Sequence, residues 1–283
     1  MCGIFGLLNN NQPVESKDLR ILSDSMLHRG PDDSGLINKS NWSIGMRRLS
    51  IIDLSGGHQP ISNQSNDIHL VCNGEIFNHK QLRKNLINLG YEFKTKSDVE
   101  VILHLYQEYG RDSIHHLNGM FAFAIYDESK DMLWIARDRL GIKPLYYGWK
   151  NSCFGFSSEL TGLAKIFDSE ICETSLIDYL GYSYVPAPKT IFKNISKLLP
   201  GEELILSGGI ATKNQYWNCS QRHSWNGTID EAQRKLDSLL KGAIQKRLIS
   251  DVPLGIFLSG GVDSSAIASY ASEINTGAPI QTF

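Results

Sequence analysis

At 283 residues, with 41% hydrophobic and 20% charged residues, the chain has the length of two domains, or one and part of another, and the composition of an ordinary soluble enzyme. Its 28 basic and 30 acidic residues leave a formal net charge of −2 without long runs of one sign, which argues against a nucleic-acid footprint or a polybasic membrane patch. No stretch approaches the ~18 apolar residues of a membrane span, and the N-terminus lacks the charged-then-apolar pattern of a signal peptide.

The apolar run at residues 3–8 predicts a strand, and a strand starting so early holds the terminus in place. Helical spacing over residues 19–29 ends at Gly30-Pro31, a helix stop. Strands are expected at 35–37 and 42–49, followed by a glycine-rich loop over 50–62. Residues 68–77 read as a strand running into a turn at Asn73-Gly74. Two helices follow, over 78–90 and 98–110, closed by Gly90 and Gly110, the second with Asp98 at its start. Residues 119–138 and 145–159 read as hairpins turning at 127–130 and 150–152. Hairpins and helices segregated in this way predict antiparallel sheets covered by helices, an α+β class. Trp42, Trp134 and Trp149 fall in strand patterns and are expected in the core. His115-His116 is expected at a surface helix end.

Residues 184–206 read as an irregular, proline-bearing connector with a closing strand, and the polar residues 209–227 as a linker. Thr228 and Glu231 then form a capping box, and Ile229, Ala232, Leu236, Leu239, Leu240, Ala243 and Leu248 share one face of the helix they open. A strand over 254–258, the loop SGGVDSS, a helix and the start of another strand make the opening of a βαβ unit. Residues 228–283 are too few to bury a stable parallel sheet. The expected organisation is a first domain over 2–208, a linker over 209–227 and an incomplete second domain over 228–283.

Cys2 follows the initiator methionine. Once Met1 is trimmed, its thiol (pKa about 8.5) and its α-amine (pKa about 7.7–8.0) put a nucleophile and a general base on one residue. A lone Met-Cys reads more simply as a small buried apolar residue. Its weight comes from HRGPDD at 28–33, RRLSIID at 47–53, CNGEIFNH at 72–79 and KSDVEVIL at 96–103. The five cysteines are odd in number and never spaced CxxC, and the eight histidines show no metal spacing, so neither a disulfide framework nor a zinc site is indicated. A free thiol nucleophile suits a reducing, cytoplasmic setting.

This set of motifs resembles the glutaminase domain of the class II, N-terminal-nucleophile amidotransferases. SGGVDSS at 259–265 narrows the resemblance to the asparagine synthetase family; the matching motifs fall in residues 1–159 and 252–265. The resemblance implies a four-layer αββα sandwich followed by the truncated start of an α/β PP-loop synthetase domain. It also implies a carbon–nitrogen ligase with glutamine as amido donor. Glutamine would be hydrolysed at Cys2 through a γ-glutamyl thioester. Ammonia would then pass through an interdomain channel to β-aspartyl-AMP, formed from aspartate and ATP with Mg2+.

On that resemblance, Asn73 and Gly74 supply the oxyanion donors. The glutamine pocket falls on Arg48, Leu49, Ile51, Asn73, Gly74, Glu75 and Asp98. Arg48, rather than Arg47, meets the α-carboxylate with its planar fork, and Asp98 meets the α-ammonium. ATP falls on Leu258, Ser259, Gly260, Gly261, Asp263, Ser264 and Ser265, with Mg2+ at Asp263. There the strand–loop–helix geometry suits an anion, although the GK[ST] of a Walker loop is absent. The sequence departs from the family at Met46, where a histidine commonly precedes the two arginines. The family alone suggests a homodimer, and neither nucleic acid nor membrane is an expected partner. Plainer readings stand beside these: Asn-Gly as a hairpin turn, Asp98 as a helix cap, Arg48 as a surface charge. So do other functions: amidation of a different carboxylate such as a sugar acid in surface-polysaccharide synthesis, a glutaminase alone, or a non-catalytic sensing module.

Overall fold

Alternating apolar residues build two six-stranded antiparallel sheets in the first of two units into which the chain divides, Met1–Ser50 with Ser55–Asn218. The computed structural model describes residues 1–9, 12–220, 224–275 and 279–283. One sheet runs β10 (Ile195–Lys197), β8 (Tyr146–Lys150), β9 (Cys153–Ser157), β1 (Gly3–Asn9), β3 (Trp42–Arg48) and β2 (Asp33–Asn38). The other runs β12 (Ile210–Gln215), β11 (Glu202–Ser207), β7 (Met132–Arg137), β6 (Gly119–Asp127), β5 (Ile68–Ile76) and β4 (Ile61–Ser62).

The period of two along each strand sorts the side chains into layers. Val71 of β5 and Ile4 of β1 meet Ile44, Met46 and Ile135 in a core between the sheets. Leu70 and Cys72 of β5 face the other way, against Leu82 and Leu86 of α2 (His79–Asn88) and Val101 and Leu105 of α3 (Glu100–Tyr109). Phe5 and Leu7 of β1 face Leu19 and Leu22 of α1 (Ser16–Asp24) and Leu163 of α4 (Leu160–Ile166). Helix, sheet, sheet and helix are thus stacked in four layers. Each such side chain, fully buried, stabilises the fold by roughly 1.5–3 kcal/mol. A further helix, α5 (Glu173–Tyr182), leaves Leu176, Ile177, Tyr179 and Leu180 exposed.

Four expectations change. Asn73-Gly74 is no turn: both residues continue β5, paired with Ala122 and Phe121 of β6. A Cβ on Gly74 would lie 2.2 Å from the Met120 carbonyl oxygen, so glycine here answers a close approach and not a reversal. Residues 210–215, expected within the linker, form β12 on the edge of β11. All of β12 is exposed, and its ladder therefore left no apolar alternation to read. Helix α1 covers Ser16–Asp24: it starts ahead of the apolar spacing and ends short of the expected stop at Gly30-Pro31, residues 25–29 forming turns. Trp134 and Trp42 are core residues, but Trp149 is 36% exposed. His115-His116 does close a short 3-10 helix on the surface.

The second unit comprises Ile51–Leu54 and Cys219–Phe283. Its α6 (Ile229–Arg247) opens on the expected capping box, Thr228 and Glu231 each accepting from the other's backbone N–H. Strand β13 (Gly255–Ile256) leads to α7 (Val262–Ile274) and pairs in parallel with β14 (Gln281–Thr282). Among the described residues of this unit, Ile244 and Ala271 are the buried apolar ones, while Ile229, Leu236 and Leu239 are more than half exposed. No helix of the described residues is long and apolar enough to cross a membrane.

Candidate functional site

Cys2 stands at the head of β1, half-buried against the core between the sheets. Its thiol donates to the Leu49 carbonyl at 3.6 Å and accepts from the Leu49 N–H at 3.4 Å. Arg29 fixes the backbone: Nε donates to the Cys2 carbonyl at 2.9 Å while Nη1 pairs with Glu159 at 2.8 Å. Arg29 is 9% exposed and Glu159 26%, so the pair is shielded on its arginine side. Met1, by contrast, is 59% exposed, which leaves it open to removal. Burial pushes the Cys2 thiol above its ordinary value; the Leu49 N–H, the terminal amine, Arg48 and Lys143 pull it back. Burial also lowers the terminal amine on Met1, favouring its neutral form.

The side-chain phase of β3 decides between the two arginines. Trp42, Ile44 and Met46 face the inter-sheet core, and Arg48 follows them in phase, 6% exposed. Arg47 takes the opposite phase, where its Nε donates to Ser23 Oγ at 2.9 Å. Arg48 acts electrostatically on both Cys2 and Asp98. Met46, the departure from the family pattern, is 2% exposed and serves the core.

Asp98 is 4% exposed and does not cap a helix: the N-cap of α3 is Val99, with no side-chain cap. Its Oδ2 instead accepts from the Ile76 N–H at 2.7 Å. Burial raises its carboxyl to about 6, against backbone N–H groups of Ile76, Asp98 and Val99 and the charge of Arg48.

Between Cys72 and Ile76, β5 has one edge paired with β6 and the other edge occupied by side chains. Phe77 N–H reaches Asn118 on the β6 side, whereas the N–H groups of Cys72 and Ile76 meet Gln59 and Asp98 on the opposite side. Period-two alternation turns the N–H of Gly74 to that same edge, between the two clamps. The side chain of Asn73 is in phase with Val71, toward the inter-sheet core against which Cys2 packs. Asn73 is 1% exposed, and its Nδ2 has no hydrogen-bond partner among the described residues. A buried amide without a partner costs about 1–3 kcal/mol, and the donor capacity of this one is taken up by none of the described residues. The first unit therefore gathers a thiol, an arginine, a carboxylate and an unused amide donor. Glu75 is half-buried in β5. Ile51 falls in the second unit, where its carbonyl accepts from Asp251 N–H at 3.1 Å.

Sequence reasoning missed three residues of this neighbourhood. Arg29 lies in HRGPDD, but nothing in that spacing announces a grip on the Cys2 carbonyl. Lys143, 7% exposed, acts electrostatically on Cys2, Cys72 and the terminal amine together. Its loop is shaped by the Asp138 carboxylate, which accepts from the N–H groups of Leu140, Ile142 and Lys143 at 3.0–3.1 Å. The run of Asp, then Gly141 three residues on, was the available signal for that loop. Gln59, in the glycine-rich loop, carried none. Cys72 is fully buried and its thiol pushed far up, so it is inert beside Cys2.

In the second unit, the loop after β13 turns at Gly260 (φ +79°) and enters α7 at Val262. Ser264 Oγ donates to the Gly261 carbonyl at 3.1 Å and lies 3.1 Å from Ser259 Oγ. Leu258 N–H donates to Phe283 O at 2.8 Å and is 40% exposed. Two hydroxyls and an open helix start have the donor chemistry a polyphosphate needs. Asp263, exposed in the first turn of α7, is one carboxylate, and no group of three or more His, Cys, Asp or Glu is arranged to hold a metal among the described residues. A magnesium ion here would take its remaining ligands from phosphate and water, as that ion commonly does.

Comparison with known proteins shows the family of the chain. A family model described as "Glutamine amidotransferase domain" matches residues 1–217, and one described as "Asparagine synthase" matches residues 235–283. The glutamine-hydrolyzing asparagine synthetase 3 of Bacillus subtilis is 36% identical over 294 residues, which span all of this chain and 48% of that protein. A putative glutamine-hydrolyzing asparagine synthetase 2 of Methanocaldococcus jannaschii is also 36% identical, over all of this chain and 59% of its own length. The chain thus spans about half the length of the curated relatives it matches. Among solved structures, the glutamine phosphoribosylpyrophosphate amidotransferase of B. subtilis superposes over the whole chain and 65% of its own, with a TM-score of 0.58 at 19% identity. That likeness is one of fold.

Proposed function

Because the chain belongs to the glutamine amidotransferase domain family, we propose that it hydrolyses the side-chain amide of glutamine at Cys2 to supply ammonia. The buried, unused Nδ2 of Asn73 on the same inter-sheet face as the thiol is the observation that carries this reading. Removal of Met1 frees the Cys2 α-amine, which takes the thiol proton as Sγ attacks the amide carbon. The oxyanion that forms accepts from Asn73 Nδ2 and the Gly74 N–H. As the C–N bond breaks, the proton passes to the leaving nitrogen and ammonia departs, leaving a γ-glutamyl thioester. Water, deprotonated by the same amine, adds to the thioester and releases glutamate and the free thiol. Arg48 binds the α-carboxylate of glutamine and Asp98 its α-ammonium, with Leu49 and Glu75 completing the pocket.

The names of the relatives support an acceptor half-reaction in which ammonia converts activated aspartate to asparagine. ATP held by Leu258, Ser259, Gly260, Gly261, Ser264 and Ser265, with Mg2+ at Asp263, supplies the adenylyl group that activates the acceptor carboxylate. The domains proposed for the two half-reactions are the one expected at residues 2–208, extended to take in β12, and a part beginning at residue 228. A dimeric, cytoplasmic enzyme fits this reading.

The test is glutamate release from glutamine by the chain after mass spectrometry confirms loss of Met1, beside Cys2→Ala. The expected result is release that falls by at least about 10³-fold in the variant. Equal release from both would overturn the assignment of Cys2. Asparagine formed from aspartate, ATP and glutamine, compared with a panel of other carboxylates, decides the acceptor.

A further inference from the structure

Strand β4 covers the edge of β5 with an antiparallel register in which Ile61 faces Leu70 and Ser62 faces His69. Two residues further along that register, position 59 faces Cys72. The backbone does not continue the ladder there. Instead the side-chain amide of Gln59 takes its place: Oε1 accepts from the Cys72 N–H at 2.7 Å, and Nε2 donates to the Cys72 carbonyl at 3.4 Å. A carboxamide has the same donor–acceptor pair as a peptide, so it can stand in for one strand residue.

Gln59 is itself held tightly. It is 4% exposed, and its own carbonyl oxygen would lie 1.8 Å from a Cβ added to Gly35 of β2. The preceding residue, His58, is tied by Nδ1 to Asp33 Oδ2 at 2.9 Å, at the start of the same strand. Gln59 is therefore wedged between the edge of one sheet and the edge of the other. The carbonyl that it grips belongs to the peptide unit leading into Asn73, whose side-chain amide is buried and unused. Four residues on from Cys72, the Asp98 carboxylate grips the Ile76 N–H, so the stretch that carries Asn73 and Gly74 is fixed at both ends of a free edge.

We propose that Gln59 is a positioning residue for the oxyanion donors: by completing the β5 ladder at Cys72, it aims the Asn73 amide at the carbon attacked by Cys2. This rests on the reading of the site as a glutaminase. A donor misplaced by about 1 Å can cost up to ~10²-fold in rate. Gln59→Leu keeps the volume and removes both hydrogen bonds, which frees the strand edge.

The experiment compares kcat and KM for glutamine hydrolysis in the Met1-free chain, Gln59→Leu, Asn73→Ala and the double variant. The expected result for Gln59→Leu is a kcat lower by about 10–100-fold with KM within about twofold. In the Asn73→Ala background, the same substitution is expected to change kcat by no more than about threefold, because the group it aims is gone. Gln59→Glu, near-isosteric, retains the acceptor for the Cys72 N–H and guards against a variant that fails to fold. It should lose kcat by a smaller factor, with iodoacetamide alkylating Cys2 at a rate within about twofold of the parent. Equal factors in both backgrounds, or a rise in KM alone, overturn the positioning role while the glutaminase reading stands. No glutamate release from the parent chain overturns both.

Discussion

The two glycine-bearing sites of this chain are built in opposite ways. Around Cys2, each group is held by residues distant in sequence. Leu49 meets the thiol, Arg29, paired with Glu159, holds the carbonyl, and Gln59 and Asp98 hold the strand that carries Asn73; Arg29, Gln59, Asn73 and Asp98 are buried, Leu49 and Glu159 half-buried. The loop over residues 259–265 is held by neighbours, Ser264 to Gly261 and Ser259, and its residues are largely exposed. Desolvation therefore acts strongly on the first site and little on the second. Burial moves the Cys2 thiol and the Asp98 carboxyl, whereas the loop offers a shape set by the local backbone.

The sharpest way to exploit that contrast is Asp98→Asn. If the carboxylate binds the ammonium of glutamine, its loss should raise KM by about 100-fold, the size of a charge-assisted hydrogen bond, with kcat within about threefold. The pH dependence follows from a carboxyl raised to about 6 in the free protein. Below that pH it is protonated, so KM in the parent should climb about tenfold per pH unit, and the variant should show a flat profile. The stability effect has the opposite sense. A carboxyl with a folded pKa above its unfolded value near 3.9 contributes most below about pH 4, and the contribution is lost as pH rises through 6. At pH 7.5 the variant should melt no lower than the parent. A KM within twofold of the parent would remove Asp98 from the binding site.

Next in size comes Arg29→Leu, which cuts the Cys2 carbonyl loose and leaves Glu159 without its close partner. A fall in kcat/KM of about 10–50-fold is expected, together with a lower melting temperature, since the Cys2 carbonyl loses its buried donor and half-buried Glu159 keeps only the longer contact with His28 at 3.5 Å. Stopped-flow glutamate assays and thermal melts on one preparation would separate the two effects. Lys143→Met is expected to act more weakly. Without that ammonium, the pH profile for alkylation of Cys2 should move to higher pH by a few tenths of a unit, consistent with a screened charge.

What could be read from the sequence divides along the same line. Cys2, Arg48, Asn73, Gly74 and Asp98 were legible because each lies in a short motif, and the phase of β3 then separates Arg48 from Arg47. The sheets were legible where one face is apolar and the other is not. Strand β12 was not, because both its faces are exposed, and Asn73-Gly74 looked like a turn because a close backbone approach and a reversal call for the same residue. Arg29, Gln59 and Lys143 stayed hidden for a different reason. They work through backbone groups or charge at sites 27, 13 and more than a hundred residues away, and no local spacing encodes such a contact.

The smallest expected effect on the thiol site comes from the second unit. Thr228→Ala removes one half of the capping box at the start of α6, where Thr228 Oγ1 accepts from the Glu231 N–H at 3.3 Å. Losing an N-cap costs about 1 kcal/mol, and α6 has little burial to compensate, with Ile244 its buried apolar residue among those described. Hydrogen exchange should therefore quicken by about fivefold in the first turns of α6, that free energy expressed as an opening equilibrium. Glutamine hydrolysis should stay within about twofold, because the groups proposed to bind and attack glutamine are held by residues of the first unit. A fall of tenfold in hydrolysis would overturn the assignment of the glutamine site to residues of the first unit.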